Sequence, residues 1–80
     1  MNAFDYDPMV YDAMRELGNQ LAGYCVHRSY DAPGDVERQR WRLSALAVSA
    51  EINGIDPHDE EAVRTKTTDF ADRLRAERAM

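Results

Sequence analysis

The sequence predicts an all-α fold, a small three-helix bundle running up-down-up with the second helix in the middle. Three observations carry that expectation. Apolar residues recur at spacings of three and four along three separate stretches, as the period of an amphipathic helix requires. Two turn signals, "YDAPGD" and "NGIDP", separate those stretches. No stretch alternates polar with apolar residues at the two-residue period of a half-buried strand.

Residues 1–6 are expected to be flexible. Asp7-Pro8 then supplies an N-cap acceptor and a proline at the first helical position, where its missing N–H costs nothing. From there Val10, Met14, Leu17, Leu21 and Tyr24 or Cys25 form one stripe of a helix running to about Ser29. Gly18 and Gly23 inside it each cost about 1 kcal/mol relative to alanine, so this helix needs tertiary packing. The second helix is expected from Asp35 to Asn53, with Trp41, Ala45, Val48 and Ile52 on one face and Leu43, Leu46, Ala47 and Ala50 on another. A helix apolar on two sides calls for neighbours on two sides. Gly54 suits the left-handed residue that ends a helix, and Asp56-Pro57 repeats the cap-plus-proline start, with Asp59 favouring the positive helix end. The third helix carries Val63, Thr67, Phe70 and Leu74 as its stripe. Its acids Asp59, Glu60 and Glu61 come first and Arg73, Arg75 and Arg78 last, in the order the helix dipole favours.

At 80 residues the chain is expected to form one helical domain over 1–80, near the lower size limit for independent folding, where a deep water-excluding active site is hard to build. The single cysteine, Cys25, rules out an intramolecular disulfide and fits a reducing compartment. The first residues lack the basic-then-apolar pattern of a signal peptide, and no apolar run approaches the ~20 residues of a membrane helix. A cytoplasmic protein with no membrane partner is the expectation. Fifteen acids against ten bases leave a net charge of −5. General nucleic-acid binding, which depends on clustered Lys and Arg, is therefore not expected.

His27, His58 and Cys25 lack the paired spacing of a zinc site. Cys25 and His27, two apart on a helix, point about 200° away from each other and cannot act as nucleophile and base. Cys25 is expected in the core, with both histidines near helix ends. No phosphate loop or apolar-set carboxylate pair appears, so neither an enzyme, a cofactor nor a metal is expected. Trp41, flanked by Arg40 and Arg42, either packs inside the bundle or forms an exposed Trp-Arg recognition surface. "FDYDP", Phe4 to Pro8, is either a staple tucking Phe4 or Tyr6 under the bundle or an arm that docks on a basic partner.

The stretch Arg42 to Val63 carries Ser49, Ala50, Glu51, Ile52, Asn53 and Gly54, followed by Asp56-Pro57. It resembles the core of the VbhA-like antitoxins, small helical inhibitors of Fic-family adenylylating toxins. Their inhibitory helix carries Ser or Thr, three variable residues, Glu, then Gly or Asn, and a proline-containing turn. The resemblance covers about a quarter of the chain closely, and everything from Asp35 onward more loosely. It implies a protein inhibitor that clamps a toxin at its ATP site. Ser49 would meet the nucleotide site, Asn53 would face a toxin arginine, and Gly54 would permit close approach. Asn53 departs from the family, since it stands where the inhibitory glutamate belongs and carries no charge. Trp41 and Arg42 complete the expected partner-binding set. The alternative is an acidic helical interaction protein, such as a phage-encoded inhibitor or complex subunit, anchored by Trp41, Tyr11 and Tyr30.

Overall fold

The structure of the protein, a computed structural model, describes residues 6–79. Three helices make up the fold: α1 over Pro8–Asp31, α2 over Asp35–Gly54 and α3 over Glu60–Arg78. Their directions alternate. Tyr6, just ahead of α1, reaches Pro57 ahead of α3, while Tyr24 near the end of α1 reaches Glu77 near the end of α3. These two helices are parallel, and α2 runs against both.

The central element is α1, not α2 as the sequence led us to expect. It packs along both other helices, whereas no Cα of α2 comes within 8 Å of one in α3. The core explains this arrangement. Met14 and Leu21 of α1 form one buried cluster with Val48 and Ile52 of α2 and Val63, Phe70 and Leu74 of α3. Gly18 sits at the point where all three meet. A Cβ there would lie 2.6 Å from Ile52 Cδ1 and 2.9 Å from Phe70 Cε2, so a bare backbone at this position lets one helix serve as the spine for two. The glycine that costs helix propensity is also the one that permits the packing.

Local chemistry sets the helix ends. Asp7 accepts a hydrogen bond from the Met9 N–H at 3.0 Å and Pro8 opens α1, as expected; the helix then runs two residues past Ser29. At the start of α3 the structure corrects the sequence reading. The cap is Asp59, whose carboxylate accepts from the Ala62 N–H at 3.0 Å. The Asp56 carboxylate is used instead by the His58 N–H at 2.9 Å, which makes Asp56–Asp59 a turn before the helix and leaves exposed His58 outside it. Gly54 does not adopt a left-handed conformation either, since no described residue has a positive φ. It is the last residue of α2, and the chain leaves through extended Ile55, whose N–H donates to the Ile52 carbonyl.

Tyr6 is not loose. It is half-buried and its hydroxyl donates to the Pro57 carbonyl at 2.6 Å, which favours the staple reading of "FDYDP" for this residue; Phe4 and the rest of residues 1–5 lie outside the described residues. Cys25 is buried, as expected, and burial pushes its thiol up in pKa, which keeps it protonated and a poor nucleophile. Among the described residues no helix is long and apolar enough to cross a membrane.

Candidate protein-binding face of the second helix

The second apolar face of α2 was expected to find a neighbour inside the bundle. It does not. Leu43 and Leu46 keep 54% and 66% of their surface exposed, and Ala47 and Ala50 are exposed beside them. With α1 as the spine, α2 has one partner helix and needs one buried stripe, which Ala45, Val48 and Ile52 supply. Its other apolar side is left to solvent.

Three of the five residues expected to bind a partner lie along the edge of this face. Arg42, Leu46, Ser49 and Asn53 follow at spacings of four, three and four, which places them within about 60° of arc at 100° per residue. All four are exposed. Gly54 is exposed too, but stands about 100° round the helix from Asn53, beside Leu43 and Ala47. Trp41 is on the core side. Its indole, half-buried, meets Tyr24 edge-on at 6.1 Å between ring centres, with the Arg28 guanidinium 5.0 Å from its ring, which favours the packed reading. Arg38 and Arg40 are drawn to Asp35 and Glu37 of their own helix at 2.9 and 3.1 Å.

Glu51 has its own task. It points across to α3, where its carboxylate accepts from Arg73 at 2.9 Å and Lys66 at 3.1 Å, and Arg73 is shared with Asp69 at 3.1 Å. This cluster links α2 and α3 where their backbones stay apart. The Arg73 hydrogen bond, supported by Lys66, holds the Glu51 carboxyl below the usual glutamate range despite its partial burial. A carboxyl depressed in the folded state stabilises above its unfolded pKa, and that contribution disappears as pH falls through the folded value. Glu51→Gln is therefore expected to cost about 1 to 2 kcal/mol near neutral pH, given half-exposed partners. The gap from wild type should close as pH drops below the ordinary glutamate value of 4.5. Urea titrations of both proteins across that range measure it, and a gap independent of pH would remove the ion cluster as the cause.

The residues that the sequence reading missed are those of α1 beside this face. Ala22, Gly23 and Val26 join Arg42, Ala45, Leu46 and Ser49 around a groove of ≈ 420 Å³ between α1 and α2. The signal was present in the second apolar face of α2, which was assigned to internal packing. Among the described residues no group of three His, Cys, Asp or Glu side chains is placed to hold a metal ion. Comparison with known proteins finds no family model that matches the chain and no similar curated protein or solved structure.

Proposed function

We propose that the chain is a small protein inhibitor that acts by laying the exposed edge of α2 against a partner protein, and that the partner is a Fic-type adenylylating toxin. The observation supporting this reading is the stripe Arg42, Leu46, Ser49 and Asn53, exposed on a helix whose buried stripe of Ala45, Val48 and Ile52 is already taken by the core. The antitoxin assignment rests on the resemblance of Ser49 to Gly54 to the inhibitory motif. In that frame Asn53 meets the toxin arginine as a neutral acceptor. Glu51 does not stand in for the family's glutamate, because Arg73 and Lys66 already hold it on the other side of the helix. The stripe is preferred to a surface centred on Trp41, whose ring is packed against Tyr24 and Arg28.

The first test is whether the gene beside this chain's own encodes a Fic protein, recognisable by His-Pro-Phe followed by Gly-Asn-Gly-Arg; its absence counts against the reading, and its presence supplies the enzyme for the assay. Adenylylation is titrated with the natural chain, Asn53→Glu and Asn53→Ala. Restoring the carboxylate opposite an arginine in a poorly solvated cleft is expected to tighten inhibition by about 1 to 3 kcal/mol. In the free protein the same change puts a negative charge at the helix C-terminus and costs about 0.3 to 1 kcal/mol. Opposite signs in the two assays are the expected signature. If neither the natural chain nor folded Asn53→Glu slows adenylylation, the antitoxin reading fails. Loss of a binding activity in Trp41→Ala with Asn53→Ala neutral would favour the acidic interaction protein instead.

A further inference from the structure

We infer that the groove between α1 and α2 receives one amphipathic helix of a partner protein, with a carboxylate of that helix against Arg42. The inference rests on the protein-binding reading above and names what the partner contributes.

The groove is built for a helix. Its floor is small, with Ala22, Gly23, Ala45 and Ser49, and its apolar walls are Val26 and Leu46, 40% and 66% exposed. It runs between two antiparallel helices, so a third helix laid along it would lie against both. Gly23 fits that use. Nothing lies within 4 Å of where its Cβ would stand, so unlike Gly18 it is not required by any neighbour within the described chain. An incoming backbone approaches most closely where the side chain is missing.

Charge identifies the occupant. Arg42 is the one ionisable residue lining the groove. Its neighbours Arg38 and Arg40 are each paired with an acid of α2, but no ion pair engages Arg42 among the described residues. A guanidinium at the rim of an apolar groove favours a carboxylate, which it can hold through two parallel hydrogen bonds.

Two synthetic 18-residue peptides with the same Leu/Ala helical stripe serve as probes, flanked by glutamate in one and lysine in the other. They are titrated into the isotope-labelled full chain and followed by amide NMR shifts. The net charge of −5 draws the lysine peptide at long range, so a preference for glutamate needs a local base, and within the groove Arg42 is the one that supplies it. The glutamate peptide is expected to bind at least tenfold more tightly and to shift Gly23, Val26, Leu46 and Ser49. Arg42→Glu should reverse the preference, and Leu46→Gln should weaken both peptides at least tenfold with an unchanged melting temperature.

Equal affinities, a lysine preference, no binding, or shifts centred on the Met9 and Thr68 side of the molecule would overturn the proposal. So would self-association that protects the same amides, because the groove would then belong to a second copy. Failure here with adenylylation still inhibited removes the groove and keeps the antitoxin; peptide binding without inhibition does the reverse.

Discussion

Phe70→Ala is expected to leave the protein largely unfolded at physiological temperature. Phe70 has no exposed surface, belongs to the cluster shared by all three helices, and has Lys66 and Arg73 lying 5.6 and 5.7 Å from its ring centre. Truncating a buried phenylalanine costs about 3 to 5 kcal/mol, from the lost transfer energy and the cavity left behind. A domain of 80 residues has a total stability of about 4 to 12 kcal/mol. The loss is thus comparable with the whole. It should lower the midpoint by roughly 12 °C or more for a domain of this size, measured by circular dichroism at 222 nm, the usual helix wavelength. A midpoint within about 4 °C of wild type would mean that the cluster around Phe70 does not hold the helices together.

Gly18→Val should be the most disruptive change that adds atoms rather than removes them. Its Cβ would fall 2.6 and 2.7 Å from two atoms of Ile52 and 2.9 Å from the Phe70 ring. Overpacking of this kind costs about 1 to 3 kcal/mol. The upper end is expected here, because relief would require α1 to move away from α2 and α3 together. The gain in helix propensity over glycine offsets only a few tenths of that, roughly. Ile52→Ala in the same chain should restore room, so that the double variant is more stable than the two single losses predict, by about 0.5 to 3 kcal/mol of coupling. Strict additivity in chemical denaturation would show that the three helices do not meet at Gly18.

Much of this was legible in the sequence. Asp7-Pro8, the stripe of Met14, Leu21 and Cys25, and the stripe of Val63, Phe70 and Leu74 read directly as caps and buried faces, because a helix repeats its contacts at the same spacing in sequence and in space. The choice of spine was not legible. Leu43, Leu46, Ala47 and Ala50 give α2 a second apolar face, and periodicity records that a face is apolar without recording whether this chain or another covers it. Gly18 read as a weakness for the converse reason: the benefit of a missing side chain lies in residues 34 and 52 positions away, Ile52 and Phe70, and no local rule reaches them. At the candidate site, Ser49 and Asn53 were singled out through the motif and Arg42 through its place beside Trp41, and Trp41 was left between two readings because an aromatic residue among arginines looks the same whether it faces water or Tyr24. The start of α3 was misread because Asp56 and Asp59 are both good caps. Backbone geometry selected the second.

The position of α1 at the centre also sets the order in which the chain closes most cheaply. Pairing α1 with α2 closes the connection of residues 32–34, whereas pairing α1 with α3 encloses residues 32–59. The longer closure costs roughly 2 kcal/mol more in chain entropy, until α2 is itself formed and acts as a rigid strut. A hairpin of α1 and α2 is therefore the natural first product of collapse, with α3 arriving afterwards along the same spine. The groove beside Arg42 is made entirely by that hairpin. Excursions in which α3 lifts away cost the contacts of Val63, Phe70 and Leu74 and the ion cluster at Glu51, yet they leave the groove assembled, so the candidate partner surface does not depend on α3 staying docked.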